Sequence, residues 1–171
     1  MKYLRLDPCD LKNGDGIRVT LWLAGCSHHC PGCQNPETWD AQVWHPENWK
    51  ETDTAFYELL DRYLEEPEVQ GLTLSGGDPL YEPNREEVLA LLRYVRKRHP
   101  GKDVWLWTGY VYEEIRESCK EILKYTDVLV DGPYLAAQRA EDLKCGADPQ
   151  WRGSSNQRLL RLSDGEIVAQ M

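Results

Sequence analysis

The sequence predicts an α/β fold, an open partial (βα) barrel of four parallel strands closed off by a C-terminal hairpin. Two observations carry this. Short apolar runs rich in β-formers recur at residues 17–24, 69–74, 104–107 and 128–130, the kind of run that suits strands covered on both faces. Amphipathic helical patterns fall between them, and strand–helix alternation implies parallel strands joined by right-handed crossovers. A closed barrel of this kind needs about eight strands, so the sheet should stay open.

The first strand is Val19-Thr-Leu-Trp-Leu-Ala24 with its flanks, and Gly25 ends it. Residues 52–65 follow as a helix, with Phe56, Leu59, Leu60, Tyr63 and Leu64 at helical spacing and Pro67 as the stop. After the second strand, residues 84–99 form the next helix. Asn84 can cap it, Glu86 and Glu87 fill the first turn, and Arg96, Lys97 and Arg98 fill the last, which matches the helix dipole. Pro100-Gly101 ends it. The third strand leads to a helix over 112–124, with Ile115, Cys119, Ile122 and Leu123 on one face. Past the fourth strand, residues 157–169 read as two short strands around the turn Ser163-Asp-Gly165.

A chain of 171 residues is read as one domain, 1–171, and a chain this long buries about 70% of its unfolded surface. The formal charge is −9 and no lysine- or arginine-rich block occurs. That argues against a nucleic-acid partner, which needs clustered positive charge. No apolar run approaches the ~18 residues of a membrane span. The opening residues, Met1-Lys-Tyr-Leu-Arg-Leu-Asp-Pro8, are too polar for a secretory segment, so a cytoplasmic protein is expected. The seven tryptophans are expected mostly in the core and at interfaces.

Three cysteines crowd into Cys26-Ser-His-His-Cys30-Pro-Gly-Cys33, immediately after the first strand. Three thiolates on one tight loop can hold three corners of an iron–sulfur cube. Electron-transfer clusters ordinarily take four cysteines, so this site would leave one iron open, and an open coordination position serves chemistry. A disulfide framework suits a secreted chain better than this one. Structural zinc would need His28 or His29 as a fourth ligand on a very tight loop. Cys9, Cys119 and Cys145 stand apart and are read as small apolar residues or incidental thiols.

The polar and glycine-rich motifs all follow strand ends: Ser75-Gly-Gly-Asp-Pro79 after the second, Thr108-Gly-Tyr110 after the third, Asp131-Gly132 after the fourth. In a parallel sheet that edge is the ligand crevice. Gly76-Gly77 admits close backbone approach, and Asp78 adds a carboxylate suited to an α-amino group.

The three-cysteine motif plus the Gly-Gly-acid motif resembles the radical S-adenosylmethionine (SAM) superfamily. Asn13-Gly-Asp-Gly-Ile-Arg18 resembles the corresponding segment of glycyl-radical-enzyme activases. Ser75 to Leu80, Trp107 to Tyr110, Leu129 to Gly132 and Trp151-Arg-Gly-Ser-Ser-Asn-Gln157 are similar to the branch that activates anaerobic ribonucleoside-triphosphate reductase. The resemblance spans nearly the whole chain. It implies that Cys26, Cys30 and Cys33 hold a 4Fe–4S cluster whose open iron is chelated by SAM. One electron then splits SAM into methionine and a 5′-deoxyadenosyl radical, which takes hydrogen from a glycine Cα of the reductase's large glycyl-radical subunit. Gly32, Cys33, Gln34, Ser75, Gly76 and Gly77 would line the cofactor, and Asp78 would bind its amine. The superfamily commonly has Glu at that place. Thr108 and Asp131 would be SAM or cation contacts. No side chain is assigned as a catalytic acid or base. A low-potential donor such as flavodoxin or ferredoxin is implied, with one cluster only. The segment 151–157 is either a cap on the hairpin or a contact with partner or SAM. Two rival readings remain at this point: a short radical SAM enzyme acting on a small molecule, of the deazapurine carboxylate synthase type, and a non-catalytic zinc-binding module.

Overall fold

A computed structural model describes residues 1–40, 42, 46–139 and 151–171; Cys145 lies outside them. Lys2–Asp10 (β1) runs antiparallel to Ile17–Leu23 (β2), with Leu6 opposite Leu21. Lys50–Glu51 (β3) adds a short edge, and Thr54–Leu64 is α1. Val69–Gly76 (β4), Arg85–Arg98 (α2) and Asp103–Trp107 (β5) follow. Tyr112–Ile115 (α3), Lys120–Leu123 (α4), Val128–Asp131 (β6) and the hairpin Arg158–Ser163 (β7) and Glu166–Gln170 (β8) complete the order.

All eight strands share one open sheet in the order β3-β1-β2-β4-β5-β6-β7-β8. β2, β4, β5 and β6 are mutually parallel in that sequence, as the sequence pattern requires. The C-terminal hairpin is antiparallel to β6. Among the described residues, no helix is long and apolar enough to cross a membrane.

The structure departs from the sequence reading at β1 and β3, in the helix over 112–124 and at Asn84. β1 was not expected. Pro8 interrupts its ladder and the register shifts between Asp7 and Asp10, so its pattern is broken where a strand should be clearest. The helix expected over 112–124 divides at Arg116–Cys119 into α3 and α4. There the Ser118 hydroxyl competes for the carbonyl of Ile115 at 3.5 Å. Asn84 precedes α2 but does not cap it with its side chain. Its amide donates instead to the carbonyl of Ala24, 2.7 Å away.

Period-2 alternation sorts the parallel strands into two faces. Val19, Leu21, Leu23, Leu72, Leu74, Val104, Leu106 and Leu129 pack with Phe56, Leu60, Val88, Leu91 and Val95 of the helices. Arg18, Thr20, Trp22, Thr73, Ser75, Trp105, Trp107 and Val130 take the alternate positions. On that side Trp105, Val128, Val130 and Leu159 gather Trp107 and Trp151 into a second cluster.

The floor of this second face is a fully buried arginine. Arg18 Nε donates to Thr73 Oγ1 at 2.7 Å, Nη2 to the Leu72 carbonyl at 3.0 Å, and Nη1 to the Asp15 carbonyl at 3.2 Å. Nη2 also meets Asp103 Oδ1 at 2.7 Å, and the guanidinium lies over Trp105. Desolvation would make an unpaired cation there costly; these acceptors offset it.

The helix layer carries its own polar lock. Asp61 accepts from Tyr94 Oη at 2.8 Å and faces His99 Nε2 at 2.7 Å. Burial pushes the Asp61 carboxyl up, but the bonds from His99 and Tyr94 outweigh it and hold the pKa below the ordinary carboxylate value. A depressed folded-state pKa stabilises the protein above the unfolded value of about 3.9, and that stability is lost as pH falls through the folded value. Asp61→Asn should therefore flatten the acid limb of a stability–pH curve measured by urea unfolding. An unchanged acid limb would contradict this.

Candidate metal centre

β2 delivers the cysteine loop to the C-terminal edge of the sheet. Gly25 turns the chain at φ +98°, where a Cβ would stand 2.4 Å from the Tyr81 ring. The loop then folds back on the turn Pro36–Thr38: Gly25 N–H donates to the Thr38 carbonyl at 2.8 Å and Cys26 N–H to that of Trp39 at 3.1 Å. Cys33 N–H closes a turn on the Cys30 carbonyl at 3.0 Å, and Asn35 N–H donates to Cys33 Sγ at 3.4 Å. An N–H aimed at a ligand sulfur orients it and tunes its charge.

Cys26, Cys30 and Cys33 are free thiols, partly buried, on the wall of one cavity of about 1100 Å³. Burial pushes the Cys26 thiol up to about 11, against the opposing pull of the His28 and His29 backbone N–H groups. Binding a cation there must displace that proton. Among the described residues, no three His, Cys, Asp or Glu side chains converge on a single ion. Three thiols on one cavity wall can take three corners of a cluster, and they are one short of the four ligands of a structural zinc site.

The end of β4 is bound directly to this loop. Gly77 N–H donates to the Leu23 carbonyl at 2.8 Å, and Asp78 N–H to that of Gly25 at 2.7 Å. A Cβ on Gly77 would come within 2.4 Å of the Gly25 carbonyl oxygen, so only glycine permits this approach. Ser75, Gly76 and Gly77 line the cavity beside the thiols.

Asp78 also lies on the cavity wall but is only 1% exposed. Its Oδ1 accepts from Leu80 N–H at 2.8 Å and its Oδ2 from Gly109 N–H at 2.9 Å. The Thr108 hydroxyl is 2.9 Å from both oxygens, and His28 Nε2 is 2.9 Å from Oδ2. This carboxylate braces three loops against one another. Thr108 lines the cavity and spends its hydroxyl on Asp78.

Asp131 is fully buried and stands off the wall. It accepts from Tyr112 N–H at 2.7 Å and from Arg158 Nε at 2.9 Å and Nη2. Gly32 also lies off the wall, on the exposed shoulder of the loop; Gln34 lines the cavity.

The segment 151–157 both caps and lines. Gln157 Oε1 accepts from Gly153 N–H at 2.8 Å, and its Nε2 donates to the Gly132 carbonyl at 2.9 Å. Trp151 meets Trp105 edge-on at 5.1 Å. Trp151, Arg152, Gly153 and Gln157 all reach the cavity. Arg5, Asp7, Trp22 and Trp39 line it too and were not singled out from the sequence.

A family model described as a 4Fe–4S single cluster domain matches residues 12–160. The anaerobic ribonucleoside-triphosphate reductase-activating protein of Enterobacteria phage T4 is 45% identical over 168 residues, 96% of this chain and 97% of that protein. The protein of the same name from Vibrio cholerae is 40% identical over 165 residues, 95% of this chain and 99% of its own length. That of Escherichia coli strain K12 is 40% identical over 159 residues, 92% and 96% respectively.

Proposed function

The chain belongs to the 4Fe–4S single cluster family that includes the anaerobic ribonucleoside-triphosphate reductase-activating proteins, and from that premise we propose that it activates such a reductase by reductive cleavage of SAM. The observation that carries this reading is one cavity holding three free thiols beside a close-packed glycine backbone. Cys26, Cys30 and Cys33 would hold a 4Fe–4S cluster and leave one iron for SAM. Bound there, the cluster would supply the one electron that splits the C5′–S bond of SAM, so that overall SAM and a glycine Cα–H would be converted to methionine, 5′-deoxyadenosine and a glycyl radical.

The protein's own residues orient these partners. Ser75, Gly76 and Gly77 offer backbone groups to the methionyl amine, and Asp78 contributes negative charge behind them. Thr108 keeps Asp78 in place. The open sheet serves as a partial barrel of the radical SAM type, one domain over the whole chain, and its open C-terminal edge admits a polypeptide. The reductase's glycine-bearing loop enters near Gly77 and Thr108. A low-potential flavodoxin or ferredoxin supplies the electron, in the cytoplasm.

SAM cleavage coupled to the reductase tests this. In anaerobic assays with a strong reductant, 5′-deoxyadenosine should form in proportion to reductase added, and a reductase with that glycine replaced by alanine should still bind but carry no radical. Cleavage coupled instead to a deazapurine precursor, with none coupled to reductase, would contradict the proposal.

A further inference from the structure

The arch between Cys26 and Cys30 carries a side chain that the proposed function leaves without a task. His28 lies against three separate groups from two other strand ends. Its Nε2 stands 2.9 Å from Asp78 Oδ2, yet that nitrogen is buried and makes no aligned hydrogen bond. Its ring meets Tyr110 edge-on at a centroid distance of 4.3 Å. A Cβ on Gly109 would fall 2.5 Å from the ring, so the β5 loop can approach only as glycine. Beside it, Ser27 Oγ and Tyr110 Oη are 3.2 Å apart.

Asp78 is the point where these contacts converge. It takes N–H groups from its own loop, at Leu80, and from the β5 loop, at Gly109, plus the Thr108 hydroxyl. The cysteine loop has one side chain in that node, and it is His28. Without the ring, the arch would keep its backbone bonds, among them Asp78 N–H to the Gly25 carbonyl, and the Ser27–Tyr110 contact, but lose its side-chain contacts with Asp78 and Gly109.

We propose that His28 is a positioning residue: docked on Asp78, Gly109 and Tyr110, it sets the distance between the three thiolates and the glycine-rich backbone that receives SAM. Asp78 then acts as the receptor for this ring. The inference rests on the cluster-and-SAM reading of the site. It concerns placement, not ligation, so the three cysteines should retain the cluster when His28 is removed.

The test uses anaerobically reconstituted full-length protein. H28A should keep wild-type iron and sulfide content. The SAM concentration that half-converts the electron paramagnetic resonance (EPR) signal of the reduced cluster should rise about tenfold, the size of an ordinary coupling between contacting side chains. H28Q, whose amide can reach Asp78, should restore it to within about threefold. H28A combined with D78A should cost less than the sum of the two single variants, since both remove the same His28–Asp78 contact. Hydrogen exchange of the SAM-free, cluster-loaded protein supplies an independent readout: H28A should accelerate exchange of the Gly109 amide, and H28Q should slow it again. A wild-type Gly109 exchange rate in H28A, additive effects in the double variant, or loss of iron from H28A would each overturn the proposal. If exchange responds as expected while wild-type protein shows no spectral response to SAM, the clamp stands and the SAM reading fails.

Discussion

Cys30→Ser should leave the protein folded and strip it of cluster iron. Three thiols line the cavity, and each would occupy one corner. Four protein ligands are the norm for such clusters, so this site begins one short and has no spare. Serine is isosteric with cysteine but offers a hard, protonated oxygen that iron–sulfur clusters bind poorly. Changes beyond the ligands themselves already cost about 10- to 100-fold in metal affinity, and losing a ligand should exceed that. Cys30 is only partly buried and sits outside both apolar clusters, so the fold should not notice. Iron and sulfide analysis after anaerobic reconstitution, beside circular dichroism, reads both halves. Full iron retention with normal SAM cleavage would contradict the assignment of the motif.

Arg18→Met should lower stability by about 3 kcal/mol, toward the low end for breaking a buried ion pair. The partner Asp103 is 42% exposed at its side chain, so the stranded carboxylate can be hydrated and adds little. The cost falls on what Arg18 satisfies inside: the carbonyls of Leu72 and Asp15, and Thr73 Oγ1. Methionine fills part of the volume beneath Trp105 but donates nothing. For a chain of this length that loss corresponds to a drop in Tm of roughly 6–12 °C. Thermal unfolding by circular dichroism measures it, and a shift under about 2 °C would show that the buried network is dispensable. The residue closes the segment Asn13-Gly-Asp-Gly-Ile-Arg18, so that motif has a physical task at the floor of the sheet, away from the thiols.

The parallel core was legible because its strands are buried on both faces and read as apolar runs, and because each crossover helix repeats at its own period. β1 was not, since Pro8 and a register shift break its alternation. The division of 112–124 was hidden because Ile115, Cys119 and Ile122 keep helical spacing across the break. At the site, chain order alone placed the cysteines, Ser75, Gly76, Gly77 and Thr108 at one edge. What the sequence could not show is how a polar side chain is spent. Asp78 and Asp131 look alike as acids after strand ends. One braces the cavity wall, and the other is consumed by Arg158 and Tyr112 inside the fold. His28 reads from sequence only as the fourth ligand a zinc site would need, because its three contacts come from residues about 50 and 80 positions away.

In the proposed function this cavity delivers a radical to a glycine of a partner reductase. EPR spectroscopy of the anaerobic mixture of protein, reductant, SAM and reductase tests it most directly. A stable radical should appear in the reductase with a splitting from one α-hydrogen, a splitting that collapses when the reductase is made with deuterated glycine. No such signal should appear with Cys30→Ser. A reductase that stays free of radical while SAM is cleaved, or a signal indifferent to glycine labelling, would contradict it.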